Sequence, residues 1–150
     1  MRYLNTCQIT NLRLYRNIMK LKDKLAVITG AGGGIGKAIA DRLAQEGCNL
    51  ALIDINAISQ TQYSSKVKSY VCDVSNKKNV FDTTSQITKD FGNINILINN
   101  AGITRDAALK KLSEDDWDKV INVNLKGTFL MAQACLASME ESNYGRIINI

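Results

Sequence analysis

A short apolar run, Leu25–Thr29, breaks into Gly30-Ala-Gly-Gly-Gly-Ile-Gly36 and passes at once into a segment with Ile35, Ile39 and Leu43 at helical spacing. No other stretch constrains the chain so tightly. Glycine inside regular structure costs roughly 0.5–1 kcal/mol relative to alanine, so a dense glycine run marks a turn that needs positive φ or a close approach by another group. A helix opening there presents unpaired N–H groups and the positive end of its dipole, a natural seat for an anion.

The rest of the chain alternates in the same way. The first helix is predicted over Ile35–Gln45, with Gly47 stopping it. Cys48–Ile53 reads as a second strand and Val67–Cys72 as a third, whose lysines mark it as an edge. Val80–Phe91 reads as a helix and Ile94–Ile98 as a fourth strand. Ser113 caps the acidic first turn Glu114-Asp115-Asp116 of a helix predicted to run to about Met139, and Arg146–Ile150 begins a fifth strand. Only Asn56–Lys66 joins strands two and three, so any helix there has two or three turns. Such alternation with short links predicts an α/β fold, a doubly wound parallel sheet with right-handed crossovers and helices on both faces.

Two anion-binding turns compete at the glycines. A nucleoside triphosphate loop, G-x-x-x-x-G-K-S/T, could end at Gly36-Lys37 but would need glycine at Ala31 and a hydroxyl at Ala38. Both fail. A dinucleotide site gains from Asp54, at the end of the second strand and 18 residues past Gly36, where a carboxylate can accept from the adenosine ribose hydroxyls. Its alternative role is to cap a turn. Facing the ribose, it selects NAD over NADP, because two like charges ~4 Å apart repel by up to a few kcal/mol at an effective dielectric near 20. No Arg or Lys interrupts Gly32–Gly34 to offset that repulsion.

Composition removes several other classes. The net charge is +5, but residues 1–18 hold Arg2, Arg13 and Arg16 without an acid. The remainder has 16 basic and 14 acidic residues, scattered rather than striped, which argues against nucleic acid. Residues 1–18 read as an extension or an upstream start ahead of a domain over 19–150, or else as a mitochondrial transit-type segment. The four cysteines, Cys7, Cys48, Cys72 and Cys135, form no C-x-x-C pair and there is no histidine, so no metal site is expected. Buried free thiols fit a reducing, cytoplasmic setting. No apolar run approaches the ~20 residues a membrane helix needs.

Thr29-Gly-Ala-Gly-Gly-Gly-Ile-Gly36 resembles the T-G-x-x-x-G-x-G signature of the short-chain dehydrogenases/reductases. Asn99-Asn-Ala-Gly102 is similar to their N-N-A-G motif, Asp73-Val74 to their adenine-contacting pair, and Asn122-Val-Asn-Leu125 to the segment carrying an asparagine of their catalytic tetrad. The resemblance covers about Leu21 to Ile150. It implies a Rossmann fold, here reaching only about its fifth strand, and an oxidoreductase moving hydride between a nicotinamide and a carbonyl or alcohol. It further implies a pyrophosphate turn of Gly30, Gly32, Gly33, Gly34, Ile35 and Gly36, with Asp54 and Ile55 at the ribose and Asp73 and Val74 flanking adenine. Asn100, Ala101, Gly102 and Val123 would line the remainder, and Asn124 would be the catalytic member, holding a water that serves a lysine. Asn99 and Asn100 could equally just satisfy strand-end backbone groups.

Asn99–Asp106, Trp117 and Asn122–Phe129 resemble the 3-oxoacyl-[acyl-carrier-protein] reductases of fatty-acid synthesis in particular. Those usually take NADPH and often carry a basic residue where this chain has Gly33, so NAD is expected here and an NAD-linked alcohol or hydroxyacyl dehydrogenase fits as well. The family's serine and Y-x-x-x-K pair should follow the fifth strand. Tyr144 cannot stand in, since position 148 is Ile. The chain 1–150 alone is therefore expected to be inactive, the alternative function being a catalytically silent dinucleotide-binding module. The family implies a homodimer or homotetramer for a longer form, with a small or carrier-bound carbonyl substrate.

Overall fold

The computed structural model describes residues 21–59, 63 and 65–150; residues 1–18, including Cys7, lie outside the described residues. Five strands form one parallel sheet: β1 Leu25–Thr29, β2 Asn49–Asp54, β3 Val67–Val71, β4 Ile96–Asn99 and β5 Arg146–Asn149. Their spatial order is β3-β2-β1-β4-β5. Registers are continuous from Leu25 opposite Asn49 to Thr29 opposite Ile53, and from Ile96 opposite Arg146 to Asn99 opposite Asn149. The chain builds outward from β1 to β3, then crosses back to place β4 on β1's other side. A ligand crevice belongs at that reversal, outside the carboxyl ends of β1 and β4.

Period-two patterning divides the sheet between two cores. Ala26, Ile28, Leu50, Leu52, Ile96 and Ile98 face helix α1 (Gly34–Gln45), which contributes Ala40 and Ala44. Leu25, Val27, Ala51, Ile53 and Leu97 face the opposite layer. There α2 (Lys77–Phe91) supplies Val80 and Ile87, and α4 (Gly127–Glu141) supplies Leu130, Met131, Cys135 and Met139. Both faces of the central strands are thus dry, as a parallel sheet requires. Helices on both faces and the lysine-bearing β3 at the sheet edge agree with the sequence.

Several boundaries differ from expectation. The second helix opens three residues early, at Lys77, because Asn76 accepts from the Asn79 N–H at 3.1 Å and caps it. The fourth strand begins at Ile96 rather than Ile94: Ile94 N–H donates to Ser138 Oγ at 2.8 Å, and Asn95 Oδ1 accepts from Leu25 N–H. The helix expected over 113–139 is two helices. Ser113 caps α3 (Glu114–Ile121) as predicted, accepting from Asp116 N–H, but a π turn over Asn122–Lys126 separates α3 from α4. Between β2 and β3 the described residues contain no helix.

Tying down the β3 edge is a cluster on Asp90, at the end of α2. Its carboxylate accepts from Lys68 Nζ and Tyr70 Oη, both at 2.6 Å, and from Gln86 Nε2 at 3.1 Å. The Lys68 ammonium, then the tyrosine hydroxyl, hold Asp90 down at about 2. Burial in turn pushes the Tyr70 phenol upward, with the Asp90 carboxylate adding to it.

Candidate functional site

At the carboxyl ends of the strands lies a cleft of about 140 Å³ to which four strand ends contribute. Gly30 follows β1. Ile53, Asp54 and Ile55 come from the end of β2, and Cys72, Asp73 and Val74 from the end of β3. Ala101, Gly102 and Ile103 follow β4, and Val123 reaches in from the π turn. Residues far apart in sequence meet here because the sheet order puts β1 between β2 and β4.

The glycine turn owes its shape to contacts that no side chain would permit. Gly30 and Gly34 have φ of 63° and 52°, the left-handed region. A Cβ on Gly36 would lie 2.2 Å from the Gly30 carbonyl oxygen, so this glycine lets α1 fold tightly under the turn. At Gly33 and Gly34 a Cβ would meet nothing within 4 Å. Gly33 is the N-cap of α1 and has no side chain to accept from the first turn, so those N–H groups receive no side-chain cap.

Two residues bolt the turn to the neighbouring strand. The buried Thr29 hydroxyl accepts from the N–H groups of Asn100 at 2.9 Å and Ala101 at 3.0 Å, and donates to the Ile98 carbonyl at 3.3 Å. Asn100 Nδ2 donates to the carbonyls of Thr29 and Gly30 at 3.0 and 3.1 Å. Asn99 Nδ2 donates to Asn149 Oδ1 at 3.0 Å and so joins β4 to β5. Asn100 thus satisfies strand-end backbone carbonyls, the plainer of its two expected roles, whereas the Asn99 amide goes to another side chain.

Asp54 takes the turn-capping role and also reaches the glycine turn. Oδ1 accepts from Asn56 N–H at 3.1 Å, capping the turn after β2, while Oδ2 accepts from Gly32 N–H at 3.0 Å. The carboxylate is thereby fixed beside the glycine turn at the cleft wall. Asp73 is held by Ser75, whose N–H and hydroxyl both reach Oδ1, at 2.9 and 2.7 Å. Asn124 clamps Ile103: Oδ1 accepts from the Ile103 N–H at 2.9 Å and Nδ2 donates to its carbonyl at 3.0 Å. The Asn124 side chain is exposed rather than buried, and its own carbonyl accepts from Thr128 Oγ1 at 2.8 Å.

Eight of the residues singled out from sequence therefore line the cleft: Gly30, Asp54, Ile55, Asp73, Val74, Ala101, Gly102 and Val123. Gly32 touches Asp54, Gly33 and Gly34 form the open rim, and Gly36 and Asn100 lie behind the turn. Ile35 is well exposed, at 62%, on the first turn of α1, away from the lining. Ile53, Cys72 and Ile103 line the cleft although the sequence did not single them out; each directly adjoins a residue that it did. Burial holds the Cys72 thiol above its ordinary pKa, so it serves as a neutral wall. Among the described residues no three His, Cys, Asp or Glu gather to hold a metal ion, and no helix is long and apolar enough to cross a membrane.

The family model for short chain dehydrogenase matches residues 24–150, which span the whole sheet and every wall of the cleft. The chain belongs to the short-chain dehydrogenase family. It is 44% identical over 139 residues to the (2S)-[(R)-hydroxy(phenyl)methyl]succinyl-CoA dehydrogenase subunit BbsD of Thauera aromatica, covering 88% of this chain and 56% of that one. Against a 3-oxoacyl-[acyl-carrier-protein] reductase of Thermotoga maritima the identity is 39%, with the same coverage. Among solved structures, an NAD+-bound xylitol dehydrogenase superposes with a TM-score of 0.80 at 36% identity, over 87% of this chain and 53% of that one. The chain thus spans about half the length of the family members it matches. The Rossmann-type parallel sheet and the family membership stand as the sequence implied.

Proposed function

We propose that residues 19–150 form the NAD-binding part of a short-chain oxidoreductase that moves hydride between the cofactor and a carbonyl or alcohol. The observation that carries the proposal is the Asp54 carboxylate, pinned by Gly32 N–H at the wall of a cleft that the glycine turn opens. A dinucleotide fits these residues. The bare rim at Gly33 and Gly34 and the uncapped N–H groups of α1 suit a pyrophosphate, and the pinned Asp54 suits a ribose diol. Val74 and Ile103 are apolar walls for adenine, and Asp73 offers a carboxylate to its exocyclic amine. When bound, the nicotinamide accepts or donates the hydride. The chain's own part is to hold the adenine half, orient the ribose through Asp54, and keep Asn124 and its carbonyl in place beside the cleft.

Two of the relatives are named for acyl thioesters of coenzyme A or acyl carrier protein, which favours a hydroxyacyl or 3-oxoacyl substrate, with a simple alcohol, after the xylitol dehydrogenase, as the alternative. Asp54 and Gly33 favour NAD, which supports the dehydrogenase direction over a biosynthetic reduction. No tyrosine within 1–150 is followed four positions later by lysine. The 150-residue polypeptide should therefore bind cofactor without turning over, as the alternative of a silent binding module also requires; a reading frame continuing into Ser…Tyr-x-x-x-Lys separates the two. Calorimetric titration of the chain with NAD and NADP tests the cofactor. NAD should bind at least about tenfold more tightly, and Asp54→Ala should narrow the gap, since like-charge repulsion near 4 Å amounts to a few kcal/mol at most. Equal or tighter NADP binding by the unaltered chain overturns the cofactor assignment, and NAD-linked turnover by 1–150 that Asn124→Ala abolishes overturns the expected inactivity.

A further inference from the structure

We infer that Gly127, the first residue of α4, is a positioning residue that sets the depth of the adenine side of the cleft by letting the helix press on Val74. Gly127 is buried and makes no contact with the cleft itself. A Cβ built on it would lie 2.9 Å from Val74 Cγ2, 3.2 Å from Val74 Cβ and 3.3 Å from the Val74 carbonyl oxygen. Carbon atoms pack at about 3.5–4.0 Å, so α4 and the Val74 side chain sit closer than a Cβ at 127 allows without one of them shifting. Val74 can give way only toward the cleft. It is 7% exposed, belongs to the core beneath the sheet, and also lines the cleft.

The approach has a visible origin. The π turn over Asn122–Lys126 ends at Gly127, so this wide turn delivers Val123 to the cleft and Gly127 to the back of Val74. One short segment therefore positions two walls, the first by direct lining and the second through a missing methyl group. A methyl at 127 would push Val74 into the cleft or lever α4 away, and either movement changes the space open to a flat heterocycle.

The inference rests on the cleft being a dinucleotide site. Calorimetric titration of the 150-residue chain with NAD and with AMP, alongside Gly127→Ala, Val74→Ala and the double variant, provides the test. Gly127→Ala should weaken both ligands by about tenfold, the scale of a single overpacked methyl. Adding Val74→Ala removes the nearest clashing atom, so the double variant should bind AMP within about threefold of Val74→Ala alone. A structural role only would lower the melting temperature of Gly127→Ala while leaving AMP affinity of the folded protein unchanged, and that result overturns the inference. Should Gly127→Ala not fold, a double variant that folds yet binds AMP far more weakly than Val74→Ala overturns it equally. If the unaltered chain binds neither NAD nor AMP, the dinucleotide assignment itself fails and takes this inference with it.

Discussion

Thr29→Val replaces a hydroxyl by a methyl of nearly the same volume, so it isolates the polar role of Thr29 from its packing. The side chain is 2% exposed, and its oxygen serves two N–H donors, Asn100 and Ala101, 71 and 72 residues away in sequence. Valine leaves both donors without that acceptor. An orphaned buried donor costs about 1–3 kcal/mol. Because Asn100 and Ala101 are half-buried and water can reach them in part, the low end applies to each, giving a loss of about 2–3 kcal/mol in all. Thr29→Ser keeps the hydroxyl and removes one methyl, worth about 0.8 kcal/mol. Urea denaturation reads both, with the loss appearing in the midpoint at unchanged slope. The loop Asn99–Gly102 would also loosen from the glycine turn, so NAD affinity should fall with Val and hold with Ser. A Thr29→Val loss below about 0.5 kcal/mol, or a Ser variant as unstable as the Val one, would refute the bracing role; orphaned donors of this kind lie at the low end of the usual 1–3 kcal/mol.

Gly36→Ala should destabilise by about 3 kcal/mol or more, because its Cβ must displace a carbonyl 2.2 Å away, whereas Gly33→Ala, extended at φ −172° and meeting nothing within 4 Å, should stay near zero; denaturation midpoints compare them directly. Acid should loosen the β3 edge. Asp90 titrates lower in the folded chain, at about 2, than a free aspartate at 3.8, so its contribution is complete above about pH 5 and is lost as pH falls through 2. Asp90→Asn should flatten the fall in urea midpoint between pH 5 and pH 2, and an unchanged profile would show that the cluster contributes nothing. Asn124→Ala removes both hydrogen bonds to Ile103, and amide exchange at Ile103 should quicken by about tenfold, consistent with roughly 1 kcal/mol of net bonding at an exposed site.

Periodicity along the chain was enough to place every strand and most helices within a few residues. Apolar alternation and spacing report burial locally, and the strands of a parallel sheet are buried on both faces. Apart from the early start of α2, which the local Asn76 cap sets, the errors fall where a distant partner decides. Ile94 leaves the fourth strand because Ser138 takes its N–H, and the long helix widens at 122–126, where Asn124 turns outward to bond Ile103. Nothing in local spacing marks either event.

The residues of the candidate site were legible because backbone geometry demanded rare residue types: glycines where φ is positive or carbonyls crowd, and carboxylates at strand ends. Their arrangement was not legible. The sheet order decided that the ends of β2, β3 and β4 converge beside Gly30, and hydrogen bonds spanning some 70 residues decided that Thr29 and Asn100 brace the turn. Sequence by itself determined which elements form and that a glycine turn opens the first helix. Only the tertiary structure decided what stands opposite that turn, because contacts between strand ends are set by packing order across the sheet.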